Sequence, residues 1–334
     1  MTQSEFLQDL EAFLQEWQND KPTVCVHTSG STGTPKPMQV EKERMMASAK
    51  LTCSFLGLKE GDSALLCMPM QYIAGKMVVV RSLVANLKLI PVTPSGHPLK
   101  DLQEAPTFAA MIPMQVYNTL QVPEEKAILM RIKHLIIGGG AIDDALGKAL
   151  KEFPNHVWST YGMTETLSHI ALRRLNGKDA SDWYSPLKNV HIYLSKANTL
   201  VIHAPEVCHD VLITNDIAEI NEEGKFRILG RKDNTINSGG VKIQIEQVEA
   251  ALKEHLDIPF QITARKDAKF GEIVVLIYNK VKDEALVRQV CEEALPTYWV
   301  PKAYIAVDEL PLTGTGKPDR ATARRLASLL CHSE

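Results

Sequence analysis

The sequence predicts an α/β fold, with a large N-terminal domain of alternating strands and helices followed by a smaller α+β domain. Three observations carry that expectation. Short, wholly apolar runs recur through the first half of the chain, separated by helix-length segments, as expected of strands buried on both faces of a parallel sheet. From about residue 190 to 229 the pattern changes to closely spaced short strands, with turn residues at Asn198 and at Glu222, Glu223 and Gly224. After Gly230 a second, shorter alternation begins. The domains are therefore expected at residues 1–230 and 231–334, with the boundary within residues 230–233.

Taken in order, residues 24–26 read as the first strand, after which Met45, Ala49, Thr52 and Leu56 recur at helical spacing. Residues 77–87 read as a buried helix and 87–92 as a strand. Residues 108–112, 134–137 and 157–160 are further buried strands, each expected to lead through a loop into a helix. In the second domain the spacing predicts a helix over 246–255, strands over 259–264 and 272–277, a helix over 285–294 and a strand over 304–307.

Composition narrows the function classes. A chain of 334 residues, 45% hydrophobic, has enough apolar material for one large core or two linked domains. Residues 1–21 carry Glu5, Asp9, Glu11, Glu16 and Asp20 among their apolar residues, unlike a signal peptide. No run reaches the roughly 18 apolar residues of a membrane span, so none is expected. The six cysteines (Cys25, Cys53, Cys67, Cys208, Cys291 and Cys331) form no CxxC pair, which argues against a zinc cluster or a disulfide framework and fits a reducing cytoplasm. The net charge of −3, without a long basic block, argues against nucleic acid as a partner. Any phosphate must then be held locally.

Chemistry first appears directly after the first strand, in Thr28, Ser29, Gly30, Ser31, Thr32, Gly33, Thr34, Pro35 and Lys36. Glycines, hydroxyls and one cation in so short a segment suit a loop that surrounds phosphate oxygens. It is not a Walker A loop, because Pro35 and Pro37 flank the lysine and disfavour the helix that would follow it. The plain alternative is a hydroxyl-rich surface turn. Tyr161 and Glu165 bring an aromatic face and a carboxylate to the end of a buried strand, where α/β proteins place ligands. Gly138, Gly139 and Gly140 would let the backbone approach a flat ligand. Lys317 lies in a loop with Gly314 and Gly316, suited to a mobile cation.

These segments together resemble the adenylate-forming superfamily of acyl-CoA synthetases, luciferases and nonribosomal adenylation domains. The resemblance rests on residues 28–36, then 161–165, 214–216, 230–233 with 238–240, and 311–317, in the family's order. It implies a large adenylate-forming N-terminal domain and a small mobile C-terminal one. It also implies that ATP and Mg²⁺ are used and that coenzyme A is a co-substrate. Tyr161, Gly162 and Met163 would line the adenine, Thr164 would contact the α-phosphate, and Glu165 would bind the Mg²⁺. The three glycines at 138–140 would face the purine and the acyl pocket. Asp216 would accept from the ribose hydroxyls, and Arg231 would be a second ribose or phosphate contact. Lys317 would stabilise the adenylation transition state. Asp233 would be the hinge, and Gly239 and Gly240 would line the pantetheine tunnel.

For the acid, the resemblance implies that Tyr72 and Ala74 lie in the acyl-binding segment, and Arg81 lies seven residues beyond Ala74 on the same helical face, inside an apolar run. Either Arg81 holds a second substrate carboxylate, or it reaches water or a structural acid at the helix surface. The o-succinylbenzoate–CoA ligases of menaquinone biosynthesis resemble this chain at that arginine, so the resemblance implies a dicarboxylic aromatic acid. The chain departs from the family in having only 27 residues before the phosphate loop, so much of the usual N-terminal subdomain is expected to be missing. It also departs at Asn215, which is expected to shift the ribose loop only modestly, and at Ile245 and Gln247, which bear on the details of the CoA tunnel. A homodimer is compatible with this reading.

Overall fold

The computed structural model of this chain describes residues 1–27, 37–140, 142, 144–312 and 318–329. Residues 28–36, expected to form the phosphate loop, and Lys317 lie outside the described residues. The chain divides into two compact units, the first comprising Met1–Tyr193, Val201–Leu212 and Ile220–Arg227, the second Leu194–Leu200, Ile213–Glu219 and Ile228–Glu334.

The first unit opens with helix α1 (Gln3–Gln18), an element the sequence reading did not anticipate. A capping box starts it: the Thr2 hydroxyl accepts from the Glu5 N–H at 3.3 Å, and the Glu5 carboxylate accepts from the Thr2 N–H at 2.7 Å. Phe6, Leu10 and Phe13 are its buried stripe. Strands β1 (Thr23–His27) and β2 (Pro37–Glu41) then pair antiparallel, with His27 opposite Pro37. Helix α2 (Lys42–Leu56) buries Met45, Ala49, Thr52 and Leu56, the periodic residues of the sequence, and packs against α3 (Ile73–Ala85).

A seven-stranded sheet forms the body of this unit. It is built from β3 (Ser63–Leu66), β4 (Lys88–Pro91), β5 (Phe108–Met111), β6 (His134–Ile137), β7 (His156–Gly162), β8 (His169–Arg174) and β9 (Ser185–Pro186). Its order is β4-β3-β5-β6-β7-β8-β9, parallel from β4 to β7 and antiparallel beyond. All residues of β5 and β6 are buried, which is why these strands read as unbroken apolar runs. Helices α4 (Pro113–Leu120), α5 (Pro123–Leu129) and α6 (Asp144–Leu150) fall between the parallel strands.

One expectation fails here. No α-helix follows β7; a single 3₁₀ turn (Thr164–Thr166) leads straight back into β8. A parallel partner would need a crossover of roughly a dozen residues or more, and the short segment between β7 and β8 cannot supply one. Leu167, with φ at 64°, completes the reversal.

A four-stranded sheet contains β10 (His191–Leu194), β11 (Thr199–His203), β12 (Leu212–Ile220) and β13 (Phe226–Arg231) in that order. Its turns fall where predicted, with Asn198 and Gly224 both at positive φ. The second unit adds β14 (Thr235–Ser238), β15 (Val241–Gln244), α7 (Ile245–Lys253), β16 (Phe260–Asp267), β17 (Gly271–Asn279), α8 (Glu284–Ala294), β18 (Ala303–Val307) and α9 (Arg320–Leu329). Strand β16 pairs with β17 along its whole length, β18 runs parallel on β17, and β14 meets β17 only at Ser238 and Gly271. The residues of β17 alternate between two cores. Val274 and Leu276 pack with Val248, Leu252 and Val287 of α7 and α8, whereas Val275 and Ile277 pack with Ala323 and Ala327 of α9. No described helix is long and apolar enough to cross a membrane.

Candidate active site

The parallel strands of the first unit run in one direction, and several of the residues singled out in the sequence, 138–140 and 161–165, follow or end them on the same side. A parallel bridge joins His27, the last residue before the 28–36 segment, to Tyr72 at the N-cap of α3. Gly138 closes β6, its N–H donating to the Met111 carbonyl at 3.0 Å. A Cβ at Gly138 would lie 2.3 Å from Thr160 Oγ1 of the neighbouring strand, so any other residue here would have to displace that hydroxyl. Gly139 and Gly140 follow, exposed. Tyr161, next to last in β7, is half-buried, its ring 5.1 Å from Phe226 and 5.9 Å from Tyr184.

After Tyr161 the ladder bulges, and a Cβ at Gly162 would meet the Ser168 carbonyl oxygen at 2.3 Å. The turn is fixed further by Thr166, whose hydroxyl accepts from the Met163 N–H at 3.1 Å. Met163 is half-buried, Thr164 is buried and Glu165 is exposed. A rigid turn thus presents one hydroxyl and one solvated carboxylate beside an aromatic ring.

Helix α3 carries the acyl candidates. Tyr72 is half-buried and Ala74, in the first turn, is exposed; Arg81 is 2% exposed and among the largest fully buried side chains. Arg81 is therefore not a surface arginine, and among the described residues it pairs with no acid. Its Nη2 donates to Ser168 Oγ at 2.6 Å, while its Nε is buried with no hydrogen-bond partner. Burial lowers its pKa to about 10, which still leaves it charged at neutral pH.

A directional chain continues from it. The Thr52 hydroxyl donates to the Ser48 carbonyl at 3.2 Å, so His169 Nε2, 3.0 Å from Thr52 Oγ1, must be the donor there. His169 Nδ1 is then the acceptor, 3.4 Å from Ser168 Oγ. Burial, and after it the charge of Arg81, holds the His169 pKa well below the usual histidine range. The ring is neutral, and Arg81 is the one cation of this chain of contacts. Sequence reasoning found Arg81 and missed Ser168, His169 and Thr52. The one available signal was a histidine at the head of the short apolar run Ile170, Ala171 and Leu172.

In the second unit, Asp216 takes the Thr214 hydroxyl at its own N–H at 3.1 Å and lies 3.9 Å from Arg231 Nη1. Arg231 Nη2 also donates to Asp233 at 3.1 Å, and Asn215 Nδ2 donates to the same Asp233 oxygen at 3.0 Å. The predicted ribose carboxylate, its arginine and the predicted hinge residue therefore form one polar cluster. Asn215 is part of it, holding Asp233. Gly239 and Gly240 make the turn between β14 and β15, the Gly239 N–H donating to the Phe270 carbonyl at 2.8 Å.

Lys317 lies outside the described residues, and the described residues on either side of 313–317 are held to one another. Leu312 and Pro318 bridge, and the Pro311 carbonyl accepts from the Asp319 N–H and from Gln261 Nε2, both at 2.9 Å. Arg320, at the start of α9, makes a two-pronged pair with Glu249 of α7 at 2.6 and 2.7 Å, which together with the ion pair's charge raises the arginine's pKa against its burial. Gln261, Glu249 and Arg320 were not anticipated from the sequence. The described residues contain no group of three or more His, Cys, Asp or Glu side chains able to hold a metal ion by themselves. A single exposed carboxylate at Glu165 suits Mg²⁺, which keeps waters and shares phosphate oxygens.

Comparison with known proteins accounts for this arrangement. Residues 3–206 match the AMP-binding enzyme family, and residues 247–317 match the AMP-binding enzyme C-terminal domain. The 2-succinylbenzoate–CoA ligase of Bacillus mycoides (strain KBAB4) is 27% identical, over 95% of this chain and 73% of its own length. An acyl-CoA synthetase (AMP-forming)/AMP-acid ligase II-like protein from Dyadobacter fermentans DSM 18053 has a solved structure that is 33% identical. It aligns over 96% of this chain and 94% of its own with a TM-score of 0.67. The o-succinylbenzoate CoA synthetase of Bacillus subtilis, solved in complex with its acyl-adenylate intermediate, shares the fold at a TM-score of 0.74 and 23% identity. That match covers 90% of this chain and 68% of that one. With both family matches in their expected order and a solved relative of nearly the same extent, the chain belongs to the AMP-binding enzyme family.

Proposed function

We propose that this AMP-binding enzyme is an acid–CoA ligase whose acid carries a second carboxylate, and that the acid is o-succinylbenzoate, activated for menaquinone biosynthesis. The observation that carries the choice of acid is Arg81. A buried guanidinium with no acid among the described residues, and with an unpartnered Nε, is costly unless a ligand supplies the missing anion. The ligases named for 2-succinylbenzoate among the relatives favour the same acid.

In the first half-reaction the substrate carboxylate attacks the α-phosphorus of ATP, forming acyl-AMP and releasing pyrophosphate. Thr164 contacts the α-phosphate, and Thr28, Ser29, Gly30, Ser31, Thr32, Gly33 and Lys36 hold the outer phosphates. Gly138, Gly139, Gly140, Tyr161, Gly162 and Met163 line the adenine, and Asp216 with Arg231 takes the ribose. Glu165 would hold Mg²⁺, which supplies charge neutralisation of the phosphates. Lys317 offsets the negative charge that builds between the two anionic reactants. In the second half-reaction the CoA thiol attacks the acyl carbon and AMP leaves with the electron pair of the broken acyl–phosphate bond. We place the domain boundary at residues 230–233, with Asp233 as the hinge and Gly239 and Gly240 along the thiol's path. We also place the enzyme in the cytoplasm.

The test is pyrophosphate release with Mg-ATP across o-succinylbenzoate, benzoate and a medium-chain fatty acid, with and without CoA, beside a Lys317→Ala control. Release selective for o-succinylbenzoate, thioester formation with CoA and loss of both in the variant are expected. Release with benzoate or the fatty acid alone would overturn the dicarboxylate, and release with none of the three would overturn the substrate class.

A further inference from the structure

We infer that Glu16 and Lys76 are positioning residues for the nucleotide loop, gripping the strand that leads into it from two different helices. The inference rests on the reading of residues 28–36 as that loop. Lys42 donates its N–H to the Pro22 carbonyl at 2.8 Å, which makes Pro22 and Lys42 a hydrogen-bonded pair of the β1–β2 ribbon. Alternation along an antiparallel ladder then turns the N–H and C=O of Thr23, Cys25 and His27 away from β2, toward the ribbon's outer edge.

Among the described residues no neighbouring strand completes that edge at Cys25; side chains do. Glu16 of α1 accepts from the Cys25 N–H at 3.0 Å, and Lys76 of α3 donates to the Cys25 carbonyl at 2.6 Å. The two side chains also face each other, Lys76 Nζ lying 3.8 Å from the other Glu16 oxygen. The ammonium sits 5.1 Å from the centre of the Phe13 ring, and Lys76 is 9% exposed. Charge-assisted bonds are strong and directional, and the Lys76 end is the more buried, Glu16 being partly exposed. Two residues further on, His27 bridges Tyr72 on the same edge. The last described residue before the loop is therefore registered against α3, the helix that carries Tyr72, Ala74 and Arg81. Nothing in the chemistry of acyl transfer needs a lysine at position 76. Its reach to Cys25 gives it a role in placing the loop rather than in contacting a substrate.

The experiment pairs Mg-ATP affinity, measured by calorimetry, with amide hydrogen exchange at Cys25 in the full chain and in Glu16→Gln, Lys76→Met and Lys76→Arg. Loss of one charge-assisted bond to Cys25 should weaken Mg-ATP binding about tenfold in Lys76→Met. Lys76→Arg, which keeps a donor, should restore most of it, and Glu16→Gln should accelerate exchange at the Cys25 amide. The acid's KM should stay within about twofold in variants that retain turnover. Unchanged Cys25 exchange in Glu16→Gln overturns the clamp itself. Faster exchange with unaltered Mg-ATP affinity leaves a purely structural contact and overturns the positioning role. A wild-type chain that binds no Mg-ATP overturns the nucleotide reading, which the exchange result distinguishes from failure of the clamp.

Discussion

At the residue scale the decisive side chain is Arg81. Spacing placed it on a helical face with Ala74, but spacing could not say what opposed it, because Ser168, His169 and Thr52 come from β8, its preceding turn and α2. The neutral His169 matters as much as the charge beside it. A protonated imidazole there would crowd two cations together, and burial prevents it. Arg81→Leu should raise the KM for a dicarboxylic acid by about 30- to 100-fold, the worth of a lost charge-assisted pair, with little effect on a monocarboxylate. Arg81→Lys should recover only part, since an ammonium cannot reproduce the planar guanidinium that reaches Ser168. Steady-state kinetics on matched mono- and dicarboxylic acids would decide; equal losses on both would remove Arg81 from acid selection.

At the element scale two turns hold the chemistry in place. The β7–β8 turn closes so tightly on Gly162 that even an alanine must displace the Ser168 backbone. Gly162→Ala is therefore expected to cost about 2–4 kcal/mol of stability and to slow adenylation, read together by thermal unfolding and pyrophosphate release. Helix α9, which begins three residues after Lys317, is tied to α7 through Arg320 and Glu249. Glu249→Gln should cost about 2 kcal/mol and lower kcat more than the KM for ATP, a split that stopped-flow pyrophosphate assays can resolve. The buried strands β5 and β6 were legible in the sequence because, His134 aside, every residue in them is apolar. Other elements were not. Helix α1 shows Phe6, Leu10 and Phe13 at helical spacing, but acids interrupt them and masked the stripe. The buried face of α9 is made by Ala323 and Ala327, too small to stand out from its arginines. Strand β2 begins at Pro37, which reads as a breaker. A proline is tolerated there because its nitrogen, opposite His27, points away from β1.

At the scale of the whole molecule, the ordered motifs made the family and both matched segments readable, since each motif is local in sequence. The polar contacts that orient them join distant segments and were not. The pH response also belongs to this scale. His134 and His156 sit opposite each other at the starts of β6 and β7, and both ring nitrogens of His134 are buried without partners. Burial, with Lys133 and His156 adding to it, pushes the His134 pKa down to about 4. As pH falls below 6.5 the unfolded chain takes up a proton that the folded chain refuses until about 4, so stability is lost across that interval. His169 acts in the same direction. The melting temperature should fall between pH 6.5 and 4, and less steeply in His134→Phe; parallel curves would assign the acid sensitivity elsewhere. The outer edge of β1 bears on solubility as well. Its outward N–H and C=O groups would offer any passing strand a ready template, and Glu16, Lys76 and the Tyr72 backbone occupy them instead. Variants that uncover this edge should scatter light at high concentration while their circular dichroism is still native, so the same contacts that align a loop also keep copies of the chain apart.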